Sequence, residues 1–361
     1  MTRPTQATIN LSALSHNLSQ AKRHVPKSRI MAVIKADGYG HGIIRVAKGL
    51  AEADGFAVAC LEEAVRLREA GFKHNILLLE GVFEPSELKA VVDYELQMVV
   101  HCPEQVRLIE TTAVSTPLAV WMKVDTGMHR LGFLPNEFTQ YYQRLAQLKQ
   151  VTSNFMLMTH LACADEVGHP ANQEQLSLFH TLTTHLSNPK SVVNSAGLFS
   201  YTDAHHDWVR PGIMLYGINP FNNGVGSAVG LKPVMNLKSE IIAIKSYQAG
   251  AQIGYGGTYT CDRPTRVGVV AIGYGDGYPR HAPTGTPVAV AGQRSRLLGR
   301  VSMDMITIDV SEIDGVKVGS PVCLWGDALP IEEVAQSANT IGYELVCRLT
   351  PRVPRVVLGV N

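Results

Sequence analysis

The sequence predicts an α/β chain: an N-terminal (β/α)8 barrel over residues 1–231, followed by a mostly β C-terminal domain over residues 232–361. Three observations lead there. The 361 residues exceed the ~250–300 at which single cores stop growing, so two domains are expected. Up to about residue 230, short apolar runs alternate with segments of helical periodicity. From about Lys232 the texture changes to Val-, Ile- and Thr-rich stretches separated by Gly and Pro turns.

In chain order, Leu11, Leu14, Leu18, Ala21 and Val25 recur at helical spacing and mark an opening amphipathic helix. Eight candidate strands follow: Ile30–Lys35, Gly55–Cys60, Ile76–Leu79, Gln97–Val100, Leu118–Val124, Asn154–His160, Ser191–Asn194 and Asp207–Arg210. Helical segments such as Leu61–Ala70, Pro103–Thr111 and Asn172–His185 lie between them. Parallel strands need crossovers of this kind, and eight can close into a barrel. Beyond residue 232, SEIIAIKSYQAG, RVGVVAIGYGDGYP, TPVAVAGQ, MITIDVSE and GSPVCLWG read as short antiparallel strands, interrupted by one helix over Ile331–Asn339.

Composition narrows the function classes. A hydrophobic share of 45% and a charged share of 17% are ordinary for a globular chain. With 32 basic against 31 acidic residues and no basic run, no nucleic-acid partner is expected. No run of ~18 apolar residues is present, and the opening MTRPTQATINLSALSHN has no apolar signal core, so no membrane partner and a cytoplasmic location are expected. Cys60, Cys102, Cys163, Cys261, Cys323 and Cys347 show neither C-x-x-C nor zinc spacing and read as free buried thiols. His205–His206–Asp207 has no matching partner, so no metal site is expected.

The reactive side chains fall at strand ends. Lys35 ends the first strand, Lys123 lies near the end of the fifth and His160 ends the sixth. Asn194 and Ser195 follow the seventh, and Arg210 ends the eighth. Functional groups of such barrels collect on that rim. Lys35, in AVIKADGYGHG, reads either as a snorkelling surface lysine or as a Schiff-base lysine, since desolvation readily frees its amine as a nucleophile. In RPGIMLYG, Pro211 and Gly212 open a short helix where barrels often place a phosphate, with the Ser195 hydroxyl as a further donor. The plainer reading is a turn beside an exposed Arg. In WMKVDTGMHRLG, Lys123, Asp125 and Arg130 form either a functional cluster or a salt-bridged rim.

Together these segments resemble alanine racemase, a fold-type III pyridoxal-phosphate enzyme. AVIKADGYGHG, MKVDTGMHRLG, THLACADE, NSAG, RPGIMLYG, GYGGTY, IGYGDGYPR, GRVSMDM and GYELVC…PRVPR match its motifs in order, from Ala7 to the C-terminus. The resemblance implies pyridoxal 5'-phosphate held by Lys35, with Tyr39, Ser195, Gly212, Ile213 and Tyr343 at its phosphate. Arg210 is implied at the pyridine nitrogen, with His160 and Asn194 nearby. Tyr255 is implied as the second acid/base, and Arg130 and the Met303 N–H as substrate-carboxylate contacts. Lys123 corresponds to a lysine carbamylated in many members. Tyr274, Arg280 and Arg300 are implied to line the access corridor. Tyr255 and Met303 would come from a partner subunit, which makes the expected assembly a homodimer with shared active sites. The implied activity is two-base racemisation of L- and D-alanine, serving peptidoglycan or alanine catabolism. Rival readings are a broad-specificity amino-acid racemase of the same fold type and a non-catalytic pyridoxal-phosphate carrier, which would resemble the barrel half alone.

Overall fold

The computed structural model describes residues 3–359. It opens with β1 (Gln6–Asn10) and α1 (Leu11–His24), whose N-cap Asn10 side chain accepts from the Ala13 N–H at 3.2 Å. Eight parallel strands then close into a barrel: β2 (Arg29–Val33), β3 (Gly55–Val58), β4 (Asn75–Leu78), β5 (Gln97–Val100), β6 (Ala119–Lys123), β7 (Met156–Met158), β8 (Lys190–Ser191) and β9 (Trp208–Val209). Closure is made by Arg29 opposite Trp208 and Ile30 opposite Val209. Met31, Ala32, Phe56, Ala57, Ile76 and Leu77 are wholly buried, as strands with both faces covered require. All eight expected strands are present, most of them trimmed at their ends.

The second sheet is organised by β10 (Met235–Tyr247), a 13-residue strand. It pairs antiparallel with β1, with Thr265–Val270 and with Pro321–Trp325. Burial alternates from Leu237 to Glu240, the mark of a sheet with one solvated face.

Four features depart from the sequence expectations. A strand precedes α1 and lies in the second sheet, not in the barrel. Its buried stretch, Ala7–Ile9, abuts the helix directly, too short for a period to be read. That strand pairs parallel with Arg355–Leu358, so the sheet is not wholly antiparallel. A second helix, Gly342–Cys347, follows Ile331–Ser337. All six cysteines are free, but only Cys261 and Cys323 are buried and Cys347 is exposed. No helix among the described residues is long and apolar enough to cross a membrane.

Candidate active site

The site begins where β2 ends. Beyond Val33 the chain turns into the left-handed region and stays there, with φ of 54° at Ala36, 51° at Asp37, 64° at Gly38, 49° at Tyr39 and 74° at Gly40. Each non-glycine residue in that region costs roughly 1–2 kcal/mol. The turn is held by the Gly40 N–H to Ala36 O at 2.9 Å and the Gly42 N–H to Asp37 O at 2.8 Å. Glu63 accepts the Asp37 N–H at 2.9 Å and the Ala59 N–H at 3.0 Å, pinning the loop to the next βα unit. At Gly40 a Cβ would stand 2.1 Å from Val346 O, so only glycine lets the turn close against helix Gly342–Cys347. Strain concentrated in this way marks a functional segment. It brings Lys35 and Tyr39 to one cavity, which helix Gly342–Cys347 also reaches through Tyr343.

The cavity, about 360 Å³, is lined by Lys35, Tyr39, Lys123, Arg130, His160, Asn194, Ser195, Arg210, Gly212, Ile213 and Tyr343. Residues separated by more than 300 positions thus converge as expected. At one end is a cup. Ser195 Oγ accepts the Gly212 N–H at 2.8 Å, and a Cβ on Gly212 would stand 2.6 Å from the Tyr39 hydroxyl. Tyr39 lies flat on Tyr216, with ring centroids 4.6 Å apart. Burial pushes the Tyr39 and Tyr343 phenols well up, so both remain hydroxyl donors.

At the other end Arg210 is buried without a carboxylate. Its Nη1 donates to Ser191 Oγ at 2.5 Å and its Nη2 to Thr159 O at 2.6 Å. Burial lowers its pKa to about 10, and it still carries its proton at neutral pH. The same Nη2 lies 3.3 Å from His160 Nδ1. Arginine only donates, so Nδ1 is the acceptor and the His160 proton sits on Nε2. Burial, then Arg210, Lys123 and Arg130, hold the His160 pKa well below its usual value, so the ring is neutral. Lys123 is pushed down to about 8 by burial and then by Arg130 and Arg210. Among the described lining residues Glu80 is the sole carboxylate, and the cavity is strongly cationic.

Tyr255, Met303, Tyr274, Arg280 and Arg300 are not brought to this cavity. They belong to the C-terminal half, where Tyr255 is 69% and Met303 53% exposed. The Arg280 guanidinium lies 6.0 Å over the Tyr274 ring. His205 donates Nε2 to Leu198 O at 2.9 Å. Sequence reasoning missed Thr159 and Ser191, which hold Arg210. Thr159 does so through its backbone carbonyl, which no side chain signals, and Ser191 through its hydroxyl.

A phosphorylated, anionic pyridine aldehyde fits these residues: the Tyr39 and Ser195 hydroxyls gathered against Gly212, where a Cβ would crowd the Tyr39 hydroxyl, a lysine beside them, and a buried guanidinium opposite. Residues 9–220 match the family described as "Alanine racemase, N-terminal domain", and residues 234–357 match "Alanine racemase, C-terminal domain". The chain is 50% identical over 363 aligned positions to the alanine racemase of Nitrosomonas eutropha, covering 99% of this chain and 100% of that one. Its structure superposes on the biosynthetic alanine racemase of Pseudomonas aeruginosa with a TM-score of 0.97 at 45% identity, covering 99% and 100% of the two chains. It also superposes on the Bartonella henselae alanine racemase with covalently bound pyridoxal phosphate, with a TM-score of 0.88 at 29% identity over 98% and 99%. With both halves matched and the likeness running the full length, this chain belongs to the alanine racemase family.

Proposed function

We propose that this protein interconverts L- and D-alanine with pyridoxal phosphate on Lys35, using Lys35 and the Tyr255 of a partner subunit as the two proton-transfer groups. The observation that carries the reading is the incomplete cavity. One chain supplies Lys35, Arg130 and the Tyr39, Ser195 and Gly212 cup to the cavity, and leaves its Tyr255 exposed on the other half.

The electron sink that makes the alanine Cα–H acidic comes from pyridoxal phosphate when bound. The residues of the chain do the rest. Tyr39, Ser195 and the backbone at Gly212 and Ile213 would hold the phosphate. Arg210, a donor that keeps its proton, would face the ring nitrogen and leave it unprotonated, which would disfavour side reactions needing a longer-lived charge. Arg130 and the Met303 N–H of the partner hold the substrate carboxylate. Lys35 Nζ takes or gives the Cα proton on one face, and Tyr255 Oη does so on the other. A phenol titrates ordinarily near ~10. The neutral His160 donates through Nε2, and a hydrogen bond from it to the Tyr255 oxygen favours the phenolate. Two groups on opposite faces make inversion direct, because no proton has to cross the plane.

The test is an assay with added pyridoxal phosphate, following optical rotation from each pure enantiomer to the racemate. Comparable turnover of several amino acids would instead favour the broad-specificity racemase. No turnover of any amino acid would favour the carrier.

Lys123 carries a second expectation. A free amine attacks CO2 at carbon, the N–C bond forms, and the nitrogen releases a proton to solvent. The cation becomes an anion that can take the Arg130 fork. A lysine titrating at about 8 is largely ammonium below that pH and largely free amine above it. Carbamate occupancy is therefore expected to rise as pH is raised through about 8 in bicarbonate, read as one added CO2 in native mass spectra. Occupancy that is absent or falls with pH excludes it.

A further inference from the structure

The GYGDGY turn buries a charge that the proposed mechanism leaves unused. Asp276 has no solvent exposure, and its carboxylate is taken on both oxygens by Arg3. Arg3 Nη1 donates to Oδ1 at 2.5 Å and Nη2 to Oδ2 at 2.9 Å. The Gly273 N–H adds a bond to Oδ2 at 2.9 Å, and Arg352 Nε lies 3.5 Å from Oδ1. The same two arginines hold the residue after Met303. Arg3 Nη2 donates to Asp304 O at 2.7 Å, and Arg352 Nη2 to Asp304 Oδ1 at 2.6 Å.

The other side of that loop is tied to the same turn. The Tyr274 N–H donates to Ser302 O at 3.0 Å and the Gly275 N–H to Met303 O at 2.8 Å. A Cβ on Gly273 would stand 2.4 Å from Met303 O, so the two backbones are in direct contact. Within residues 301–305 the backbone makes one bond of its own, Ser302 N–H to Met305 O at 3.0 Å. The Met303 N–H has no acceptor among the described residues. Its direction is therefore set from outside the loop, by the Asp276 turn and by an arginine from the first residues of the chain.

We propose that Arg3 and Asp276 are positioning residues for the substrate-carboxylate loop. The Arg3 fork, spread over Asp276 and Asp304 O, fixes the orientation of the Met303 N–H toward the partner's cavity. The proposal rests on the reading that this N–H meets the substrate carboxylate. The guanidinium is suited to the task because its planar fork meets three oxygens at once, which a lysine ammonium on a flexible stem does not.

The test uses the full-length holoenzyme with Arg3→Met, and Arg3→Lys as the conservative variant. Asp276→Asn is a second probe of the same clamp. Three quantities are read: hydrogen exchange of the Ser302–Met305 amides, kcat and KM for alanine, and cofactor absorbance. For Arg3→Met, exchange is expected to quicken about tenfold and KM to rise about tenfold, as for loss of a charged hydrogen bond, with kcat held within about twofold and the absorbance unchanged. Arg3→Lys should recover KM only in part. Unchanged exchange in Arg3→Met would overturn the clamp. Quickened exchange with unchanged KM would overturn the carboxylate assignment of Met303, and with it the functional half of the proposal. Full recovery by Arg3→Lys would show that charge suffices and remove the fork from the account. Equal loss of kcat and cofactor absorbance would mark general destabilisation and count against a positioning role.

Discussion

Lys35→Ala is expected to lower kcat/KM for alanine by at least about 10⁴-fold and to remove the yellow absorbance of a lysine-linked cofactor. The effect is large because, on the proposed reading, one amine serves twice, holding the cofactor covalently and exchanging the Cα proton on one face. The site around it gives no substitute. Lys123 is committed to the Arg130 and Arg210 side, where burial and then those charges hold its pKa near 8. Methylamine added to the variant should restore part of the rate, since it replaces the lost amine without the tether. The cup of Tyr39, Ser195 and Gly212 does not depend on Lys35, so noncovalent cofactor binding should persist. A variant that keeps its colour and racemises alanine at the wild-type rate would refute the assignment.

Tyr255→Phe is expected to keep the colour and to lose about 10²–10⁴-fold in racemisation, the range for removing a general acid–base group. In deuterated water it should still exchange the Cα proton of one enantiomer, the one whose hydrogen faces Lys35, without inverting it. Mixing then tests sharing. Lys35→Ala and Tyr255→Phe homodimers each have two broken sites. A heterodimer has one site with both wild-type groups, so free subunit exchange should restore about a quarter of wild-type activity if each site draws on both chains of a two-fold dimer. No gain on mixing would place both groups in one subunit. That outcome would contradict a chain in which Tyr255 is 69% exposed and absent from the cavity that holds Lys35.

The barrel was legible because each strand is a buried apolar run followed by a helix with its own period. Gln97–Val100 and Pro103–Thr111 fall on their expected bounds. The rim was legible because Lys35, His160 and Arg210 are costly residues to place at the ends of such runs. Other features were hidden for physical reasons. The left-handed run Ala36–Gly40 is invisible to periodicity, since Ala36, Asp37 and Tyr39 adopt backbone angles that their side chains disfavour. Strand Gln6–Asn10 has three buried residues and depends on partners more than 220 positions away. Ser191 carries no motif, and the Thr159 contact to the guanidinium is made by a backbone carbonyl that any residue would offer. Asp276 stood within a recognised glycine-rich segment, but nothing local announces that its counter-ion is Arg3.

The placement of β1 has a consequence for biosynthesis. Its neighbours in the sheet are Met235–Lys238 and Arg355–Leu358, so this strand has no partner until residues 235–238 have been made and lacks its second one until residues 355–358 follow. Contacts so distant in sequence slow folding and leave apolar edges uncovered meanwhile. A chain released before residue 355 keeps an unpaired β1 edge, an exposed strand on which another chain could pair and aggregate.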